Sequence, residues 1–230
     1  MFALSPLETE ALMLSLRVAL WAVAICLPGG LIVAFILARC RFPGLIILDG
    51  FIHLPLIVPP VVVGYFLLIM LGRRGLVGEW LYDVLGVSVA FTWKGAAIAA
   101  GVMAFPLMVR SIRLALENVD TNLEDAARTL GANRIWVFVT ITLPLIVPGL
   151  ITGVILTFAR SLGEFGATIT FVSNIPGETR TLPLALYSVI QSPGGEAVAL
   201  RLVIISVLLA MAALIISEIL ARRTRRRREA

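Results

Sequence analysis

The chain has 230 residues, of which 60% are hydrophobic and 14% charged, and its formal net charge is +5. Soluble domains carry about 45–50% apolar and ~25% charged residues, whereas the mean hydropathy here is +1.02. A water-soluble globule of this size cannot hide that apolar excess, so a soluble enzyme and a disordered chain are both excluded; the composition is that of an integral membrane protein.

The net charge is local. Residues 222–230 hold six arginines and one glutamate, leaving 13 basic and 13 acidic groups in the other 221 residues. A basic cluster directly after an apolar run reads as a cytoplasmic membrane flank, in contact with lipid, rather than as a nucleic-acid patch. The two cysteines, Cys26 and Cys40, form neither a disulfide framework nor a zinc cluster. On one helix they stand about 21 Å apart along the axis, so they act as small packing residues.

A membrane-spanning helix needs about 20 mainly apolar residues. Five stretches qualify in chain order: about 12–38, 45–71, 95–113, 139–162 and 199–221. The leader before the first carries Glu8 and Glu10 and no basic residue, unlike a cleavable signal peptide, so that stretch is read as a true span. The expected fold is all-α and integral to the membrane, with about five kinked transmembrane helices. Twelve Lys and Arg residues fall on the side that bears Arg39, Arg41, Arg128, Arg134 and the tail, against seven elsewhere. The positive-inside rule then puts the N-terminus outside and the C-terminus in the cytoplasm.

Prolines interrupt the pattern. The second stretch contains LPLIVPP with Pro55, Pro59 and Pro60, the third Pro106, and the fourth Pro144 and Pro148. Each removes a backbone donor and crowds the preceding turn. Broken helices persist in a membrane where protein or a watery cavity satisfies the freed groups; the prolines fit either simple kinked packing or a transport path, and three adjacent breaks in one stretch favour the path. No internal repeat accompanies them, so a pseudosymmetric pore needs a second chain.

The most informative polar segment, residues 114–138, joins the third and fourth stretches. Thr121 and Glu124 have capping-box spacing, and Gly131 is placed to close a helix of about nine residues. Such a helix is too short to persist alone in water. It either needs a partner surface, with Ala126 and Ala127 as a close-approach face and Glu124, Asp125 and Arg128 as polar edges, or it is a solvated connector. Local chemistry leaves both open.

The segment resembles the EAA loop of permease subunits of type I importers of the ABC-transporter class. That motif reads Glu-Ala-Ala, three residues, Gly, nine residues, Ile-x-Leu-Pro. Asp125, Ala126, Ala127, Gly131, Ile141, Leu143 and Pro144 fall at the matching spacings. Asp125 stands in the glutamate position, one methylene shorter, with Glu124 immediately before it. The strings LPLIVPPVVVGY at 54–65, FPLMVRSIRLALE at 105–117 and FARSLGEFGATITFVSNIPGETRT at 158–181 are similar to bacterial molybdate permeases, and related tungstate and sulfate permeases share much of the pattern. The resemblance implies one type I transmembrane domain over residues 1–230. It also implies that 114–138 carries a coupling helix, seated in a groove of an ATP-binding subunit.

The chain has no G-x-x-x-x-G-K-[ST] phosphate loop, and its only lysine, Lys94, lies in TWKGA. ATP and Mg are therefore expected to be used by a separate subunit, with no cofactor or metal bound here. His53 reads as a packing or hydrogen-bonding residue, and Ser161 near Glu164 lacks a base to make a nucleophile. Asp49 and Glu218 lie towards the cytoplasmic ends, where surface pairing suffices.

Charges in or near the membrane carry a functional presumption. Arg17, Arg160, Glu164 and Arg201 are expected near the outer face, where arginines can offset and hydrogen-bond an oxyanion. Arg160 and Glu164 are alternatively an i,i+4 ion pair. The stretch 163–197, with its SNIPGETR and QSPGGE turn signals, is expected as an external loop or a partly re-entrant gate. The resemblance implies a homodimeric permease of the bacterial inner membrane, working with two ATP-binding subunits and an extracytoplasmic molybdate-binding protein. Its rival is a membrane scaffold or receptor that recruits a cytoplasmic protein without moving solute.

Overall fold

The computed structural model describes residues 4–229; the side chains of 217, 218 and 220–229, with Glu218 and the arginine tail among them, lie outside the described residues. Among the described residues the regular structure is helical throughout. The first helix, α1 (Pro6–Arg39), starts at a capping box. The Glu8 amide donates to Ser5 Oγ at 3.3 Å, and the Ser5 amide donates to Glu8 Oε2 at 2.7 Å. Pro6 sits in the first turn, where a missing donor does no harm.

The second stretch is the one the prolines break. It forms α2 (Leu45–Ile57) and α3 (Pro60–Leu71), bent by 113° at the junction. A residue before proline is driven from the helical region, and Val58 and Pro59 are both extended, with ψ of 139° and 134°. Each arm is shorter than the ~20 residues needed to cross a bilayer, so the expected kinked span is two arms about an elbow. A short helix, α4 (Leu76–Leu85), follows and closes on the left-handed Gly86.

The centre of the molecule is α5 (Trp93–Glu117). Its residues Ala96, Ala97, Ala99, Ala100 and Ala104 are all buried, as are Met108 and Ile112 below them. Small side chains let helix backbones approach closely, which is how spans associate where lipid is as apolar as leucine. On one side α5 meets α1, where Cys26 Sγ lies 3.3 Å from the Gly101 carbonyl oxygen. On the other it meets α8 (Leu143–Leu162). There a Cβ built on Gly149 would stand 2.3 Å from the Ala115 Cβ, so only glycine fits.

Between α5 and α8 lie α6 (Thr121–Thr129), α7 (Arg134–Val137) and a π-helical turn at Phe138–Thr142. Pro144 and Pro148 do not break α8. Pro144 falls in its first turn, Pro148 is absorbed within it, and the irregularity sits upstream as the π turn. Pro28 and Pro106 likewise leave α1 and α5 continuous.

The stretch expected as an external loop or a partly re-entrant gate, 163–197, contains α9 (Gly166–Val172) and α10 (Leu182–Ile190). Phe171 and Val172 join the cluster built by α1 and α5, while Leu182, Ala185 and Val189 pack with Ala11, Ala199 and Leu202. The last helix, α11 (Glu196–Glu229), completes the bundle. Among the described residues four helices are long and apolar enough to cross a membrane, and the bent pair makes a fifth crossing if it counts as one.

Candidate functional site

The loop helix α6 has the expected bounds but a different start. Asp120 is its N-cap, its carboxylate accepting the Asn122 amide at 2.9 Å, and the expected Thr121–Glu124 capping box does not form. The C-terminus closes as expected. Gly131 has φ +90°, its amide donates to the Arg128 carbonyl at 3.0 Å, and the Ala132 amide donates to the Ala127 carbonyl at 3.1 Å. This is a Schellman closure, in which the left-handed residue is glycine because it has no Cβ to clash. Asn133 then caps α7 by accepting the Trp136 amide at 2.8 Å.

The two adjacent carboxylates of α6 part company. Glu124 is buried, and its Oε1 accepts Arg39 Nη2 at 3.0 Å and Thr142 Oγ1 at 2.7 Å. Asp125 stays on the surface, paired with Arg128 at 3.0 Å on the same helix. Ala127 is buried, whereas Ala126 is exposed beside Leu123, Leu130 and Trp136 along a shallow depression. Leu130 is 89% exposed and Ile135 77%. This end of the molecule thus presents a short capped helix with an apolar outer surface and a charged inner attachment. Such a surface suits another protein better than water. Pro144, the last residue of the loop motif, begins the span to which the loop is joined.

Of the charges expected together near the outer face, Arg160 pairs with Glu164, Arg201 with Glu8, and Arg17 with the Trp93 ring. Arg160 Nη1 meets Glu164 Oε2 at 2.6 Å, and Glu164 Oε1 also accepts the Ala167 amide at 2.9 Å. The carboxylate is buried, so the pair lies in a weakly screened setting. Ser161 is buried one turn before Glu164. Its hydroxyl and that of Thr157 have no partner among the described residues. Arg201 Nε donates to the fully buried Glu8 at 2.8 Å, which fastens α11 to α1. Arg17 Cζ lies over the Trp93 ring, 3.7 Å from its centroid, with Trp21 beside that ring, an arrangement that holds a guanidinium without a carboxylate.

Four of these partners escape sequence reading. Arg39 and Thr142 hold Glu124, Glu8 holds Arg201, and Trp93 holds Arg17; none follows from spacing, since the pairs join distant segments. The one available signal was Ser5–Pro6–Leu7–Glu8, which has the capping-box pattern found at α1. His53 behaves as a hydrogen-bonding residue, its Nδ1 lying 2.8 Å from the Asp49 carbonyl oxygen. Asp49 itself pairs with Arg113 at 3.1 Å.

Comparison with known proteins matches residues 26–226 to the family described as the inner membrane component of binding-protein-dependent transport systems. The molybdenum transport system permease protein ModB of Escherichia coli (strain K12) is 64% identical over 220 residues, covering 96% of each chain. ModB of Haemophilus influenzae is 53% identical over 221 residues, again 96% of each. Among solved structures, the methionine ABC transporter MetNI in inward-facing form superposes with a TM-score of 0.72 at 18% identity. The match covers 96% of this chain and 99% of that one, a likeness of fold. A family match across most of the chain and close relatives along nearly its whole length leave one conclusion: the chain belongs to the inner membrane components of binding-protein-dependent transport systems.

Proposed function

We propose that this chain is the translocating subunit of an ATP-driven importer that carries molybdate across the bacterial cytoplasmic membrane. The observation that carries the reading is 64% identity to a molybdenum transport permease along 96% of both chains. Two copies enclose the path, an extracytoplasmic molybdate-binding protein delivers the anion, and two ATP-binding subunits seat α6 of each copy. The chain itself is no enzyme; ATP and Mg belong to the partner subunit. In this arrangement the N-terminus is outside, and the loop 114–138 and the C-terminus face the cytoplasm.

The mechanism follows from the parts. The exposed apolar surface around Leu130 and Trp136 is gripped by the ATPase, together with Asp125, Ala126, Ala127 and Gly131. Closure of the two ATPases on ATP draws the α6 helices together, and the spans attached to them turn the path outward. Hydrolysis lets the path return inward. At the outer end, Arg160 with Ser161 and Glu164 stands where an incoming dianion is met by positive charge. Arg17 and Arg201 are the further cationic positions there.

The test is uptake. Cells lacking their own molybdate permease, supplied with this chain, its ATPase and its binding protein, should accumulate radiolabelled molybdate. Excess tungstate and sulfate as competitors rank the three oxyanions. Failure to accumulate any oxyanion, with the complex assembled, would favour the scaffold reading.

A further inference from the structure

We propose that Glu124, not the neighbouring Asp125, is the positioning residue that transmits movement of α6 to the membrane spans; the inference rests on the reading of α6 as the seat of the ATPase. One carboxylate oxygen of Glu124 accepts from two donors on different elements. Arg39 Nη2, at the last residue of α1, lies at 3.0 Å, and Thr142 Oγ1, at the base of α8, lies at 2.7 Å. The group is buried, with side-chain exposure of 10% against 19% for Arg39. Charge-assisted hydrogen bonds in such a setting are short and stiff. Asp125 cannot serve, because it is exposed and bound to Arg128 within α6 itself.

The donor at the base of α8, Thr142, sits in an irregular turn. Thr142 ends the π-helical segment 138–142, in which the Leu143 amide donates to the Phe138 carbonyl. A regular α register would set the Pro144 ring against the carbonyl four residues earlier, so the wider turn relieves that conflict. A π turn next to α-helix offers two nearby registers. It is a joint rather than a rigid rod. The apolar grip at Leu123, Leu130 and Trp136 faces away from this attachment, so holding the ATPase and passing on its motion fall to different side chains.

The experiment uses the full complex in proteoliposomes, with co-elution of the ATPase and molybdate imported per ATP hydrolysed as separate readouts. Glu124→Gln should co-elute but import at least about fivefold less per ATP, the lower end of typical coupling effects. Thr142→Val and Arg39→Gln should shift the ratio the same way. Glu124→Gln combined with Thr142→Val should be no worse than Glu124→Gln alone, since both cut one link. An unchanged ratio in Glu124→Gln and Thr142→Val overturns the proposal. So does lost co-elution with a normal ratio in the assembled fraction, which would make Glu124 structural only. If Glu124→Gln does not assemble, Thr142→Val decides, because it leaves the Arg39 pair intact. Failure of the underlying reading looks different: Leu130→Asp would then leave co-elution untouched.

Discussion

Arg160 and Glu164, one turn apart at the end of α8, are held at 2.6 Å, and the same carboxylate accepts the Ala167 amide that opens α9. A single buried anion therefore joins a span to the short helix that follows it. Removing one partner of such a pair leaves an uncompensated charge, costing about 3–5 kcal/mol in buried settings; Arg160 retains 30% exposure, which lowers the figure. Arg160→Gln alone should lower the thermal midpoint in detergent, and Arg160→Gln with Glu164→Gln should recover it. Uptake separates the roles: if Arg160 serves the path, the stable double variant still transports poorly. Normal uptake in the double variant would confine Arg160 to structure.

Gly131 isolates a backbone effect. A Cβ at this position meets nothing within 4 Å, so any penalty comes from φ +90° rather than from crowding. Left-handed backbone costs an L residue about 1–2 kcal/mol, and asparagine tolerates it better than valine. Gly131→Val should weaken ATPase co-purification, while Gly131→Asn keeps most of it. Equal behaviour of the two would remove the left-handed closure from the account.

Gly149 is the opposite case, limited by space. Gly149→Ala drives a methyl group against Ala115 and lies 3.0 Å from the Ser111 carbonyl oxygen, whereas nothing lies within 4 Å of a Cβ at Gly163. Overpacking of this kind typically costs about 1–3 kcal/mol. The yield of monodisperse protein and its thermal midpoint should fall for Gly149→Ala and hold for Gly163→Ala.

Orientation is checked by labelling. In a variant lacking Cys26 and Cys40, a cysteine at Ser88 should react with an impermeant reagent in right-side-out spheroplasts. One at Asn122 should not. Both positions are exposed on the protein, so reactivity reports the side of the membrane. The reverse pattern would invert the topology.

Much of this architecture was legible because hydropathy adds along a span and needs no knowledge of neighbours. The bounds of α6 were legible for a local reason, the closure at Gly131. What escaped was long-range or geometric. Thr121 three residues before Glu124 reads as a capping box, but Arg39 and Thr142 take that carboxylate from other segments. Pro59 and Pro60 announced a break, but its angle is set by packing, such as the approach of Gly64 to the Ala167 backbone. The polar stretch 163–197 reads as an external loop or a partly re-entrant gate, and in the fold its polar side chains satisfy one another. Thr179 Oγ1 accepts the Ile175 amide at 2.8 Å, and Arg180 Nε donates to Asn174 Oδ1 at 3.0 Å. Polar composition thereby concealed two short helices with buried apolar faces.

The alanine seam of α5 also bears on how the cell keeps its membrane sealed. Moving one elementary charge across 100 mV is worth about 2.3 kcal/mol, so any hydrated thread through a permease drains stored energy. Ala96, Ala99, Ala100 and Ala104 are fully enclosed, and Met108 and Ile112 fill the level below them. The inner face of α5 therefore leaves no room for such a thread along its own packing seam. In the proposed pair of copies, leakage is then a hazard at the seam between them, so the electrical tightness of that importer is decided by assembly rather than by the fold of either half.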